Sequence, residues 1–144
     1  MKKYKNNQYL EAIKESFEIY LKNGSSTSNE KLKPLHSAFA KDLKERFDNE
    51  YIIKSLGLDG VNGKEGIITG KYADKKVDIS VFDKDRPIGG FAIKFAMRNV
   101  AQNLVNYFDN MLGETVNIRS VSVPYFQVLI LFDKIPYFDE KKTI

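Results

Sequence analysis

The sequence predicts an α/β fold, a mixed sheet sandwiched by helices. Three observations predict it. Two amphipathic helical stripes open the chain, three short strand segments divided by glycines and a polar turn come next, and a third long helix leads into an almost unbroken apolar run. After the first helix the order is therefore helix, three strands, helix, strand.

The first helix rests on Leu10, Ile13, Phe17, Tyr20 and Leu21 at helical spacing over residues 8–22, giving an N-terminal helix over about 6–22. Asn23-Gly24 is a left-handed stop signal, and Ser25-Ser26-Thr27-Ser28 is a polar loop ending in good N-cap residues. A second helix from about Glu30 to Phe47 carries Leu32, Leu35, Phe39, Leu43 and Phe47 on one stripe. Pro34 sits near its first turn, where a missing N–H is tolerated.

Gly57, Gly60 and Gly63 mark turns. Strand candidates then cover 64–72, 76–82 and 89–95. In the second of these, Val77, Ile79 and Val81 face one way and Asp78, Ser80 and Phe82 the other. Asp83 to Pro87 is a turn by its chemistry. A third helix is expected over 97–112, ending at Gly113. The run YFQVLILF at 125–132 has the continuous apolar character of a strand in a sheet interior. The tail from Asp133 has no clear element.

A chain of 144 residues is one domain by size, with the core expected at about 30–132. Its 42% apolar and 29% charged residues are those of an ordinary globular protein, so disorder and fibrous classes are excluded. No apolar run has the length of a membrane-spanning helix, and no apolar stretch succeeds the basic N-terminus as a secretory signal requires. The expected compartment is the cytoplasm. The absence of cysteine excludes disulfides and thiolate zinc sites, and a single histidine, His36, argues against a histidine-rich metal centre. Any metal would be a hard cation held by carboxylates. A net charge of +4 permits nucleic-acid binding without requiring it.

Asp78 and Lys94 each interrupt an apolar strand. A carboxylate in such a place must be paired, hydrated or metal-bound, because burying it bare costs several kcal/mol. Taken alone, the pair reads first as an internal ion pair or two solvated side chains. Its surroundings suggest more. The segments VDISVF and GGFAIKF, the polar turn between them and the helix directly after resemble the PD-(D/E)XK nuclease superfamily, the restriction-endonuclease-like fold with an αβββαβ core. In that family an aspartate on the second core strand is followed by an acidic-x-lysine triplet on the third. Asp78 matches the aspartate and Lys94 the lysine, with residues 79–91 between Asp78 and the triplet at 92–94. NYFDNMLGETVNIRS and then PYFQVLILF resemble restriction-type and phage-defence nucleases, which are often longer, so that this chain would be a minimal or truncated version.

The resemblance implies a Mg²⁺- or Mn²⁺-dependent endonuclease acting on DNA, of type II restriction-like character, in a family whose members often act as homodimers on two-fold symmetric sites. Asp78 would bind metal and Lys94 would orient or activate water. The sequence departs from the pattern at Ala92, where the family has a carboxylate. Three readings stand: a naturally inactive relative, a chain in which the acid was replaced, or an acid supplied from elsewhere. Asp109 on the third helix is the metal-ligand candidate, Glu30 at the start of the second helix is a catalytic candidate, and Glu65 is a third. For Glu30, first-turn placement favoured by the helix dipole is an equally good account. An inactive nuclease fold used as a DNA-binding or interaction module is the rival function.

The third helix is unusual in its amides. Asn99, Gln102, Asn103, Asn106 and Asn110 lie opposite Val100, Leu104, Tyr107, Phe108, Met111 and Leu112. Solvated helix faces ordinarily use Lys, Glu and Arg, which form helices better than Asn. Amides donate to phosphates and bond adenine edges, so Asn99, Gln102, Asn103 and Asn106 are candidates for substrate contact. A polar network beside Lys94, or a face packed on another part of the chain or a partner, is the alternative account. Arg98 and Arg119 flank the helix within reach of phosphates. His36, on the stripe of the second helix, is expected against the core.

Overall fold

The computed structural model describes residues 6–23 and 29–134. Its elements are α1 (Asn6–Asn23), a 3-10 turn (Asn29–Leu32), α2 (Lys33–Arg46), β1 (Ile52–Lys54), a second 3-10 turn (Gly60–Asn62), β2 (Gly66–Thr69), β3 (Asp74–Val77), β4 (Ile79–Asp83), β5 (Arg86–Ala96), α3 (Val100–Arg119) and β6 (Tyr125–Leu131). The polar loop over 25–28 and nearly all of the C-terminal tail lie outside the described residues.

A four-stranded mixed sheet runs in the order β1-β4-β5-β6. β4 is antiparallel to β1 and β5, and β6 is parallel to β5 across the α3 crossover. β2 and β3 form a separate antiparallel hairpin. Side chains alternate along β5, so its two faces reach two cores. Ile93 and Phe95 pack with Ala12, Tyr20, Leu35, Ala40, Ile53, Ile79 and Val81, which fills the space beneath α1 and α2. Ala92 packs with Ile68, Val77, Ile118, Val123 and Tyr125, beneath α3 and the hairpin. The expected α/β class with a mixed sheet and helices is present.

Several details differ from expectation. α1 buries Ala12, Ser16 and Tyr20, leaving Leu10 and Leu21 exposed, because the buried line lies one position off the large apolar residues. α2 starts at Lys33 after the 3-10 turn and buries Leu35, His36 and Ala40. It stops where Asp48 and Asn49 adopt positive φ. The strand expected over 76–82 is broken at Asp78 into β3 and β4, and β4 is buried on both faces. Among the described residues β6 pairs with β5 alone, making it an edge strand there rather than an interior one. β1 is an element with no counterpart in the sequence expectation.

The largest difference is α3, which continues through Gly113 to Arg119. The side chains beyond the glycine supply the reason. Ile118 is fully buried, and Asn117 clamps the hairpin by accepting from the Tyr72 and Ala73 N–H groups at 2.8 and 3.1 Å and donating to the Ala73 carbonyl at 2.8 Å. Tertiary contacts thus override a local stop signal. A Cβ at Gly113 would meet nothing within 4 Å. Gly113→Ala is therefore expected to stabilise the protein by about 0.5–1 kcal/mol, through the helix-propensity difference. Urea denaturation measures it, and an unchanged or lower midpoint would contradict a helical Gly113.

Candidate active site

Asp78 sits in the break between β3 and β4. The β4–β5 pairing ends at Ile79 and Phe91, which leaves the next β5 N–H on that side without a strand partner. A buried N–H needs an acceptor. The Asp78 carboxylate supplies it: Oδ2 accepts from the Ile93 N–H at 2.7 Å. The polar break in the strand thus fixes one carboxylate oxygen on the backbone beside the 92–94 triplet.

His36, buried on α2, brings Nε2 to 3.9 Å from Asp78 Oδ2. Burial pushes its pKa down, against the Asp78 charge and a backbone hydrogen bond at Ile93, which both raise it. The net shift is downward, so the imidazole is neutral at pH 7. The core placement expected for His36 is present, and it lies against the site as well.

Lys94 shares the α3 face of β5 with Ala92. It is not ion-paired with Asp78. Its ammonium lies 3.6 Å from Glu114 Oε1 on α3. The same oxygen is 2.7 Å from the Lys75 ammonium on β3. The Tyr125 hydroxyl on β6 donates to Glu114 Oε2 at 3.1 Å. Four elements therefore meet at one carboxylate. Burial would raise the Glu114 pKa, but the Lys75 hydrogen bond, the Lys94 and Lys75 charges and the Tyr125 hydroxyl outweigh it and hold the group below its ordinary value. Tyr125 is pushed strongly up, by burial first and then by Glu114 and the Asp78 charge, so it stays a neutral donor. It feels both carboxylates.

Glu65, just before β2, is the remaining acid. Its pKa is raised by burial and next by the charge of Asp78, with Lys76 and Lys75 opposing. The Asp78 charge thus adds to burial in disfavouring the ionised form of Glu65. Among the described residues no three ligating side chains converge as a metal cage. Ala92, where the resemblance would expect an acid, is packed in the apolar cluster and 5% exposed.

The other sequence candidates fall elsewhere. Asp109 is on an exposed stretch of α3, and Glu114, later in the same helix, takes the place beside Lys94. Glu30 is exposed in the first 3-10 turn and pairs with Lys33 at 2.8 Å. The amide stripe divides. Asn99 caps α3 with φ 46°, Gln102 is exposed, and Asn103 donates to the Asn99 carbonyl at 3.1 Å. Asn103, Asn106 and Asn110 line a cavity with Lys31 and Arg98. Glu114, Lys75 and Tyr125 are members of this cluster that sequence reasoning misses. A helix ended at Gly113 leaves Glu114 outside it, and the hairpin that delivers Lys75 has no local signal of its position.

The Glu114 cluster predicts a pH dependence. A carboxyl whose folded pKa is depressed contributes stability that is fully present above its unfolded value, about 4.3, and is lost as pH falls through the folded value. Urea midpoints of the wild type are therefore expected to fall in that acid range more steeply than those of Glu114→Gln. Parallel pH profiles would show that Glu114 does not interact as described.

No helix is long and apolar enough to cross a membrane among the described residues. No protein-family model matches the chain, and no curated protein matches it. A solved structure described as a protein of unknown function, AF1548, is similar at 12% identity with a TM-score of 0.37, over 77% of this chain. The match spans 61% of that protein's length, a likeness too loose to assign function.

Proposed function

We propose that the protein is a metal-dependent DNA endonuclease with a restriction-endonuclease-like core, its site built on Asp78, Glu65 and Lys94. The observation that carries this reading is the carboxylate of Asp78, fixed on the Ile93 N–H beside Lys94; its charge also raises the pKa of Glu65. The donor chemistry fits a hard divalent cation such as Mg²⁺, which is bound through one or two carboxylates with water and phosphate completing its shell. Repulsion between Glu65 and Asp78 is what such a cation relieves. When bound, the cation supplies charge neutralisation at the phosphodiester and makes water more acidic.

The chain's own groups have definite tasks. Asp78 and Glu65 would hold the cation. Lys94 would orient the attacking water and meet the charge that develops on phosphate. Glu114 is already engaged with Lys94 and Lys75, so it positions the two ammonium groups rather than ligating metal. His36 is buried with its Nε2 3.9 Å from Asp78, too far for a hydrogen bond, and is given no task in the reaction.

The burial of Ala92 favours a second reading, an inactive nuclease fold that binds DNA. Supercoiled plasmid separates the two. Nicking by the wild-type chain with Mg²⁺ or Mn²⁺, abolished by chelation, is expected from the enzyme. Cutting by Ala92→Glu alone would mean an inactivated site. If neither cuts and a salt-sensitive mobility shift is seen, the binding module stands. With none of these outcomes the nuclease reading is abandoned.

A further inference from the structure

A cavity whose lining does not include Asp78 lies at the C-terminal end of β5. It has a volume of about 300 Å³ and is lined by Lys31, Arg98, Asn103, Asn106, Asn110 and Tyr107, with Tyr20, Phe95 and Met97 at its base. That volume is at the lower end of small-molecule sites, which run roughly 300–1,000 Å³. Its position, at the C-terminal end of a parallel strand where a crossover helix begins, is where α/β sheets bind ligands.

The lining has a definite chemistry. Two cations face it, and no carboxylate lines it among the described residues. The cations sense each other: burial lowers the Lys31 pKa, and the Arg98 charge lowers it further. Lys31 also lies over the Tyr20 ring, 5.5 Å from its centroid. The remaining lining includes three side-chain amides, each with donor and acceptor atoms, Asn103 having given one N–H to the Asn99 carbonyl. Tyr107 and its aromatic neighbours add flat apolar surface. Cations, amides and aromatic rings together suit a ligand with an anionic end and a planar, hydrogen-bonding end.

We propose that this cavity binds one nucleoside monophosphate unit, with Arg98 and Lys31 on the phosphate and the α3 amides with Tyr107 on the base. The unit is a free nucleotide or the phosphorylated end of a strand; the cavity is too small for duplex. This proposal accounts for an amide-rich α3 face and is independent of the nuclease reading.

Titration calorimetry in EDTA tests it, using AMP, adenosine, and a short single strand with and without a 5′-phosphate. Asp78→Asn protein serves throughout as a second background. AMP binding in both backgrounds, with adenosine much weaker, supports a free nucleotide. Binding of the phosphorylated strand alone supports a strand end. In either case Arg98→Gln is expected to weaken binding about tenfold or more, the cost of a charge-assisted hydrogen bond. Asn106→Ala, an exposed change that leaves the fold intact, should weaken it as well. The proposal is overturned if no probe binds at millimolar concentration, if phosphate makes no difference, or if both variants bind like the wild type. Loss of binding in Asp78→Asn would also overturn it, since the ligand would then belong to the first site. Plasmid cleavage does not enter this readout, so failure here and failure of the nuclease reading are distinct.

Discussion

Asp78→Asn is expected to reduce the proposed metal-dependent DNA cleavage by about 10³-fold or more, equivalent to roughly 4 kcal/mol of transition-state stabilisation. The substitution is nearly isosteric. The asparagine side-chain oxygen can still accept from the Ile93 N–H, so the break between β3 and β4 keeps its anchor. Only the negative charge is lost, and that charge is what a hard cation needs. Glu65 supplies an internal check. Its pKa is raised partly by the charge of Asp78, so in Asp78→Asn it should titrate nearer its ordinary value. Carboxylate NMR measures that directly. A variant that cuts plasmid as fast as the wild type would remove Asp78 from the site. A Glu65 titration unmoved by the substitution would show that the two acids do not interact.

Gly57→Ala is expected to destabilise the fold by about 3 kcal/mol, at the upper end for overpacking, with a fall in Tm of roughly 10 °C. A Cβ at this position would meet the Ser37 backbone nitrogen, with the Ser37 Cα at 2.6 Å and the His36 carbonyl carbon at 2.7 Å. These are backbone atoms of α2, which cannot swing aside as a side chain would. The loop after β1 must then lift off α2, next to the histidine that lies against Asp78. The variant is thus expected to lose cleavage as well as stability. Calorimetric unfolding checks the first effect, and a Tm within about 2 °C of the wild type, under 1 kcal/mol, would contradict this close approach.

The pattern of apolar residues makes most of the elements legible. The stripe from Leu32 to Phe47 lies within the 3-10 turn, α2 and the residue that closes it, and YFQVLILF lies across β6. The two strands joined by the polar turn are legible too, although the turn is shorter than expected, because β5 already begins at Arg86. Other features are not. β1 is three residues long and is held by pairing with β4, which no local pattern announces. The break at Asp78 is hidden in one alternating strand, because residues 76–82 alternate on both sides of it. Gly113 reads as a helix stop because a glycine at a helix end and a glycine within a helix differ only in the tertiary contacts made by the residues beyond them.

Taken alone, the residues specify the α/β class and set Asp78 next to one strand of the β4–β5 hairpin and Lys94 on the other. Helical and strand periods are local, and burial derives from them. Tertiary structure decides which groups meet. It carries α3 past Gly113, and so puts Glu114 rather than Asp109 beside Lys94. The hairpin delivers Lys75 to the same carboxylate, and α2 sets His36 behind Asp78. The same packing turns part of the amide stripe into the wall of a cationic cavity. These partners are far apart in the chain. Their meeting depends on how elements dock, and docking is fixed by the summed burial of two cores rather than by the residues adjacent to any one of them.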